Sequence, residues 1–309
     1  MISRRNIRVK VMQTLYTLST GDGQPFSDPV KLLKKQLDGS RQLFIYLLYV
    51  ITEIGRYSEK DALKRASKNL PSEQDLNVNI KLSGNEFLWK IIENASFKKA
   101  VDEEKPNLVE DTNNQVKKLY NELTGTEEYK RYLQQTDRDK KSEKDIVLFI
   151  FNNLMLPSDS FTSHVEEHFT NWDDDAEMMQ QLMLNYLQKP GNYNLQDMVS
   201  PEKWEFAKSL LETTREKREY LLDLIKPKLN NWDAERIAVL DMILMEMGVC
   251  ELLFFETIPT KVTINEYIDL AKAYSTPQSG QFVNGILDNI HKELASQDKI
   301  HKVTFKQKA

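Results

Sequence analysis

Hydrophobic residues recur at helical spacing along most of the chain. From Ile7 to Leu18 they follow one another at intervals of four, four and three residues, which predicts one apolar stripe on an amphipathic helix. Residues 43–54 are apolar on nearly every side, as in a helix buried in a protein core. Residues 63–70 continue with a helical pattern that predicts a separate partner helix, stopped by a proline at the next position. These patterns predict an all-α fold.

Helix-capping residues indicate where several helices begin. Asp28 is the predicted N-cap of the second helix, and Ser200 that of a long helix reaching about residue 224. Thr263 and Glu266 have the spacing of a capping box, in which each side chain satisfies a free backbone N–H of the other residue. Ser279 is the predicted cap of the final helix. A further helix is predicted over residues 234–255, between the long helix and the helix that begins at Thr263.

The charge distribution changes twice within the middle of the chain. From residue 96 to residue 145, 23 of 50 residues carry a charge of either sign, which is typical of solvated helix with flexible flanks. Residues 145–188 then hold eight acidic residues and no Lys or Arg. Residues 146–156 fit a helix or a buried strand equally well, and their helical surroundings favour a helix.

The composition places the chain among ordinary globular proteins. Of its 309 residues, 40% are hydrophobic and 29% charged, and its longest apolar run, Leu43–Ile51, is too short to span a membrane. The start of the chain has no apolar leader segment, and the single cysteine fits a reducing cytoplasm, so we predict a cytoplasmic protein with no membrane partner. A net charge of −5 argues against coating of nucleic acid by bulk charge, although a local basic patch remains compatible with it.

Candidate catalytic and metal-binding groups are few. His164 and His168 match the zinc-peptidase spacing H-x-x-E-H, but five residues are a short motif, and a solvated helix with two surface histidines is the favoured interpretation. The acidic run 173–175 lacks the spacing of a calcium loop and fits the first turn of a helix. Cys250 lies in an apolar segment and is predicted to be a core residue. We therefore predict no enzyme: no catalytic residue, no metal and no cofactor.

The first helix is the best candidate for nucleic-acid binding. It carries four basic residues and no acidic one, namely Arg4, Arg5, Arg8 and Lys10. Tyr16 projects from the same face as Arg5, opposite the apolar stripe. Arginine can grip phosphate and an aromatic ring can stack on an unpaired base, which favours RNA. The alternative is a surface helix whose arginines pair with acidic residues of the same chain, with Tyr16 packed against another helix.

Three segments resemble the NusB transcription antitermination family. Residues 259–272 look like its P-x-K-V-x-I-N-E-x-I-x-L-A-K segment, residues 282–288 like F-V-N-G-x-L-D, and residues 4–16 like the R-R-x-x-R…Q-x-L-Y helix. The resemblance covers residues 1–20 and 200–296, which we interpret as a NusB-like core. Residues 21–200 then form a helical extension of unassigned role, and residues 297–309 form a basic tail.

The resemblance implies a fold of two helical subdomains and a binding function without catalysis. NusB proteins bind boxA RNA together with NusE, a small-subunit ribosomal protein, and join the RNA polymerase antitermination complex that supports ribosomal RNA synthesis. The family's RNA contacts fall on the basic helix and on the loop at residues 276–282, with Gln278, Ser279, Gln281 and Phe282 as its candidates. The NusE-facing acidic position falls on Asp241.

Other interpretations stay open. The alternatives are a NusB-like protein-interaction module that has lost RNA binding and uses the acidic residues 145–188, or the RNA-binding part of an rRNA-modifying system. Within the resembling segments, Asn265 and Asn284 are predicted to pack between helices through their amides. Gly285 is predicted to allow two helices to approach closely, and Phe282 is equally compatible with a core position.

Overall fold

Helices make up the regular structure of the chain. The structure is a computed structural model that describes residues 2–21, 28–229 and 237–303. These residues form helices and contain no strand, which confirms the all-α prediction. In chain order the helices are α1 (Arg4–Thr20), α2 (Pro29–Ala66), α3 (Glu73–Leu76), α4 (Glu86–Ile92), α5 (Ala95–Glu104), α6 (Thr112–Gly125), α7 (Glu127–Gln134), α8 (Lys140–Phe149), α9 (Asp159–His168), α10 (Trp172–Gln188), α11 (Pro201–Glu216), α12 (Arg218–Ile225), α13 (Val239–Phe254), α14 (Thr260–Tyr274) and α15 (Ser279–Ser296). Short 3-10 turns lie at Pro106–Leu108, Pro190–Asn192 and Lys226–Lys228, and a π-helical turn at Ile150–Met155.

Two predicted N-caps are confirmed. Asp28 Oδ1 accepts hydrogen bonds from the backbone N–H groups of Val30 (3.0 Å) and Lys31 (3.2 Å), at the start of α2. Ser200 Oγ accepts from the N–H of Lys203 at 3.4 Å, with a proline as the first residue of α11. In both helices a side-chain oxygen satisfies an N–H that has no partner inside the helix.

Two predicted helix boundaries are wrong. The partner helix predicted over residues 63–70 is the end of α2, which is unbroken from Pro29–Ala66. Gly55 does not interrupt α2; a Cβ at this position would lie 2.3 Å from Leu88 Cδ1, so the glycine provides space for that side chain. The helix predicted to reach residue 224 is instead divided at Lys217 into α11 and α12. In the helix predicted over residues 234–255, residues 234–236 lie outside the described residues.

The chain divides into two compact units, and α2 belongs in part to each. The terminal unit is the described part of Ile2–Gln36 together with that of Val199–Ala309. In it, α1 packs on α11 and α13, while α13, α14 and α15 pack on one another. Gly248 in α13 lies against α15, since a Cβ there would come within 2.9 Å of Leu287.

The middle unit consists of Leu37–Met198. Its α4 packs on α8, α6 packs on α7 and the π-helical turn, and α10 packs on α8 and α9. Its core holds fully buried aromatic side chains, among them Tyr46, Tyr120 and Tyr186. Residues 146–156 are helical, as predicted, although their second half widens into the π-helical turn.

Candidate nucleic-acid interface

Two of the predicted RNA-binding arginines lie at the surface of the terminal unit. The apolar stripe of α1 is buried, which leaves the side chains of Arg4 and Arg5 40% and 43% exposed. Arg4 Nη2 lies 2.6 Å from Glu202 Oε1, and Arg5 Nη1 lies 3.6 Å from Asp269 Oδ2. Both acidic partners are themselves exposed. Exposed ion pairs of this kind contribute little to stability, so a phosphate group could replace either acidic partner.

Arg8, on the same helix, is buried. Its side chain is 3% exposed and makes a bidentate contact with Glu251, Nε to Oε2 and Nη2 to Oε1, both at 2.8 Å. Its Nη1 lies 3.4 Å from Glu266 Oε2. The guanidinium also lies over the ring of Phe206, 5.5 Å from its centre. The guanidinium nitrogens therefore face acidic groups inside the protein, and Arg8 joins α1 to α13 and α14.

The electrostatics of this pair keep Arg8 charged. Burial alone disfavours the charged guanidinium, but the hydrogen bonds to Glu251 and the nearby negative charge outweigh it, so the pKa of Arg8 is raised above its ordinary value. Burial, followed by the charge of Glu251, also raises the pKa of Tyr267 well above its ordinary value. The phenol therefore stays protonated and donates to Glu251 Oε2 at 3.2 Å.

Thr263 has a different role from the one predicted. The predicted capping box is wrong, because α14 begins one turn earlier, with Pro259 at the N-cap position. Thr263 is buried within the helix, and its hydroxyl donates to Glu251 Oε1 at 2.7 Å. Glu266, the other half of the predicted box, faces Arg8 instead. Both residues therefore join helices rather than begin one.

Sequence reasoning missed Glu251, the acidic residue at the centre of this network. It is fully buried in α13, in the segment from Ile243 to Leu252, which apart from Glu246 and Glu251 contains no charged or polar side chain. Its position in the sequence could have indicated this network, since an acidic residue on the buried side of an apolar helix requires a cationic or hydrogen-bonding partner.

The remaining two candidates on α1 differ in exposure. Lys10 is buried, 1% exposed, so it presents no charge at the surface. Tyr16 is 41% exposed, with its ring accessible to solvent. Eleven residues separate it from Arg5, which is about 16 Å along the helix. The open surface of α1 therefore has two arginines at one end and an aromatic ring near the other.

The loop before α15 is accessible only in part. Gln278 and Gln281 are exposed and Phe282 is half-buried, whereas Ser279 is buried. Ser279 is the first residue of α15 and not its cap, because Gln278 occupies the N-cap position. Its Oγ accepts from the backbone N–H of Thr276 at 3.2 Å and donates to Asp241 Oδ2 at 2.7 Å. Ser279 is thus part of the interior of the loop.

Asp241, the predicted NusE-facing residue, is 6% exposed. It lies in the first turn of α13, and its contact with Ser279 joins that turn to the loop before α15. The neighbouring Val239, at the start of the same helix, is 46% exposed.

The packing roles predicted for three other residues are wrong. Asn265 and Asn284 are exposed, so their amides do not satisfy buried groups between helices. Gly285 is also exposed, and a Cβ there would meet nothing within 4 Å. These positions therefore lie on the solvent-facing sides of α14 and α15, where polar residues need no packing partner.

The histidine pair of the middle unit consists of a buried and a half-buried residue. His164 is buried, 5% exposed, so the predicted surface position is wrong for this residue. Its Nε2 lies 2.6 Å from the Tyr46 hydroxyl, and the rings of His164 and His168 are 4.5 Å apart. Burial, followed by the neighbouring His168, lowers the pKa of His164. Among the described residues no group of three or more His, Cys, Asp or Glu side chains could hold a metal ion.

The other two candidate features, the acidic run 173–175 and Cys250, lie where the sequence predicted them. The acidic run 173–175 is in the first turn of α10, as predicted, and Asp175 accepts from Ser40 Oγ and Asn171 Nδ2, both at 2.7 Å. Cys250 is a fully buried core residue, as predicted, and burial raises the pKa of its thiol to about 12. Within the described ranges no helix is long and apolar enough to cross a membrane.

Comparison with known proteins identifies relatives that match part of the chain. A model of the NusB family matches residues 165–292. The transcription antitermination protein NusB of Salinibacter ruber is 41% identical over 102 residues, which are 33% of this chain and 64% of the relative. The protein of the same name from Chloroherpeton thalassium is 45% identical over 73 residues, 24% of this chain and 35% of the relative. The chain thus spans less than two thirds of the length of these two relatives.

A third relative is matched over more of its length. The transcription antitermination protein NusB of Thermotoga maritima is 42% identical over 95 residues, which are 31% of this chain and 67% of the relative. A solved structure of T. maritima NusB is 38% identical and covers 34% of this chain and 77% of that one, with a TM-score of 0.31.

Proposed function

This chain belongs to the NusB family, and from that premise we propose that it is a transcription antitermination factor that binds RNA in the cytoplasm. Its target is single-stranded, boxA-like RNA, and it acts with NusE in the RNA polymerase antitermination complex that supports ribosomal RNA synthesis. It works by binding and not by catalysis. The observation that carries the proposal is the pair of exposed arginines on α1, of which Arg5 lies beside α14, the helix that leads into the loop at residues 276–282.

The proposed RNA surface consists of the accessible candidates only. Arg4 and Arg5 bind phosphate by exchanging their exposed acidic partners for it. Tyr16 and the half-buried Phe282 stack on unpaired bases, while Gln278 and Gln281 form hydrogen bonds with base edges.

The buried candidates support this surface from below. Arg8 and Ser279 hold α1 and the loop in position, and neither these two residues nor the buried Lys10 touches RNA. The proposed NusE contact lies at the start of α13, where Asp241 accepts from the Ser279 hydroxyl and Val239 is exposed.

Salt-dependent binding of a labelled boxA-like RNA tests the proposal. Two phosphate contacts to single-stranded RNA predict a slope of about −1.4 for log affinity against log salt. Arg5→Ala should weaken binding to every sequence and make the slope shallower by about 0.7, because one contact is lost. Adding NusE should increase the affinity for boxA-like RNA, but the salt slope of Arg5→Ala should stay shallower than that of the unchanged protein.

Arg215→Ala is the matched control. Arg215 is exposed on the same unit but lies about 20 Å along α11 from Glu202, the partner of Arg4. It should change neither affinity nor slope. Equal effects of the two variants, or no RNA binding with and without NusE, would contradict the proposal and favour a protein-interaction module.

A further inference from the structure

A second cation lies beside Arg5 on the terminal unit. Arg5 Nη1 is 3.6 Å from Asp269 Oδ2, and Lys272 Nζ is 3.9 Å from Oδ1 of the same carboxylate. Lys272 belongs to the last turn of α14. The side chains of Lys272 and Asp269 are 60% and 53% exposed, so a ligand can reach both from solvent. Cations of two helices, α1 and α14, thus share one exposed carboxylate.

The charge of this group is unbalanced. Among the described residues, Arg5 and Lys272 face the single carboxylate of Asp269, which leaves one positive charge over. Both distances exceed the roughly 2.7–2.9 Å of a charge-assisted hydrogen bond, so Asp269 holds neither cation tightly. Exposed ion pairs of this kind contribute little to stability. The group can therefore accept one further negative charge without losing a contact that stabilises the fold.

The aliphatic part of Lys272 lies on the loop before α15. A Cβ at Gly280 would be 2.6 Å from Lys272 Cγ and 3.0 Å from Lys272 Cε, so the absence of a side chain at Gly280 provides the space for the lysine. Lysine commonly packs its methylene groups on protein while its ammonium group stays in solvent. Lys272 therefore contacts both parts of the proposed RNA surface, since its ammonium group faces the partner of Arg5 and its methylene groups lie beside the loop.

The geometry fits a phosphate of the RNA backbone. Such a phosphate carries one negative charge and two free oxygens, as a carboxylate does, so it matches the charge that this group leaves over. Arginine and lysine both bind phosphate, the first through its planar fork and the second as a point charge. The exposed Gln281 and the half-buried Phe282 directly follow Gly280. A base attached to that phosphate would thus lie near the side chains proposed to contact bases.

We propose that Lys272 and Arg5 together bind one phosphate of the RNA, and that Asp269 is the counter-charge that limits the strength of this contact. The inference rests on the proposed function, because it adds a residue to the same surface. Without Lys272 the charge of Arg5 is balanced by Asp269, so the phosphate meets no net positive charge there. Lys272 thereby connects α1 to the loop at residues 276–282 as one binding surface.

Salt titration of a labelled boxA-like RNA with the full chain tests the role of Lys272. Lys272→Ala should make the slope of log affinity against log salt shallower by about 0.7, the same change as in Arg5→Ala. Its loss of affinity should be about fivefold greater at about 0.1 M than at about 1 M salt. Lys272→Arg keeps the charge and should retain the slope. Arg5→Ala combined with Lys272→Ala should be no shallower than either single variant, because the two cations bind the same phosphate.

Two further variants test the arrangement around the lysine. Asp269→Asn should strengthen RNA binding, and in Lys272→Ala it should restore the slope, because Arg5 then has no counter-charge at this position. Gly280→Ala should weaken RNA binding in the otherwise unchanged protein but not in Lys272→Ala, since the added methyl group acts by displacing the lysine. Thermal unfolding, recorded for each variant, should show no loss of stability that follows the loss of affinity.

A second Lys–Asp pair provides the matched control. Lys292 and Asp288 form an exposed ion pair on α15, with Nζ 2.6 Å from Oδ2 and side chains 71% and 45% exposed. Lys292 is eleven residues from Gln281, which is about 16 Å along the helix. Lys292→Ala and Asp288→Asn should therefore change neither the affinity for RNA nor the salt slope.

The outcomes separate this inference from the proposed function. If Arg5→Ala makes the slope shallower and Lys272→Ala behaves like Lys292→Ala, this inference is wrong while the proposed RNA surface stands. If the unchanged protein binds no RNA with and without NusE, both are wrong. A further loss of about 0.7 in the combined variant would overturn the shared phosphate. Displacement of the RNA by an oligoglutamate of equal charge would assign the two cations to an acidic protein partner and would also overturn the inference.

Discussion

Removing the buried cation of α1 should destabilise the terminal unit strongly. In Arg8→Met the carboxylate of Glu251 stays fully buried and keeps, among the residues that the structure describes, the hydroxyl donors of Thr263 and Tyr267. Breaking a buried ion pair from one side typically costs about 3–5 kcal/mol, because the other charge is left uncompensated. We expect an effect in this range on the free energy of unfolding of the terminal unit.

Removing both charges together should cost much less than the sum of the single changes. In Arg8→Met combined with Glu251→Leu, apolar side chains replace the fully buried pair, a replacement that is often close to neutral. Glu266 loses its ion pair with Arg8, but its side chain is 26% exposed and can turn toward water. Thr263 and Tyr267 lose their acceptor, which leaves a residual cost of about 1–3 kcal/mol. The coupling between the two positions should therefore be at least about 2 kcal/mol.

The assay must report on the terminal unit alone. The chain has two units that need not unfold in one transition, so hydrogen exchange of peptides from α1 and α13 across a denaturant series is the appropriate measurement. Arg4→Met is the control, since its ion pair with Glu202 is exposed and should contribute no more than about 1 kcal/mol. The reasoning is refuted if Arg8→Met costs no more than Arg4→Met, or if the costs of the two buried changes simply add.

Two further predictions concern a buried histidine and two glycines. The pKa of His164 is lowered in the folded protein, so the unfolded chain binds more protons below about pH 6.5. The stability of the middle unit should therefore fall as pH drops from 7.5 to 5, and His164→Gln should reduce this dependence in urea unfolding. Gly285→Ala should raise stability by about 0.5–1 kcal/mol, because open space surrounds it. Gly248→Ala should lower stability, because its Cβ would meet Leu287 at 2.9 Å; the same sign for both variants in thermal unfolding would contradict this.

Local signals in the sequence predicted much of the fold. The stripe of α1 and the caps at Asp28 and Ser200 depend on neighbouring residues only, and the structure has them as expected. Cys250 was predicted to be buried from its apolar surroundings, and it is. Such features can be predicted without knowing which residues pack against them.

Features that depend on distant partners could not be predicted in this way. Thr263 and Glu266 have the spacing of a capping box, yet both are used by residues of other helices, Glu251 and Arg8. The partner of Arg8 is 243 positions away in the chain. Spacing within one helix cannot indicate such a pairing. All four basic residues of α1 were therefore predicted to bind RNA, although two of them are exposed and two are buried.

The difference between these basic residues bears on how the first helix recognises RNA. Arg4 and Arg5 have exposed, replaceable partners, whereas Arg8 is held by a carboxylate that no ligand reaches without opening the unit. If Arg8 serves only to hold α1 in place, Arg8→Met should weaken RNA binding because the order of α1 is lost. Adding Glu251→Leu should then restore both the order of the helix and the affinity for RNA. If Arg8 contacts phosphate directly, the double variant would regain stability while RNA binding stayed weak. Loss of affinity without loss of structure would therefore assign Arg8 to the RNA surface, and joint recovery assigns it to the support beneath.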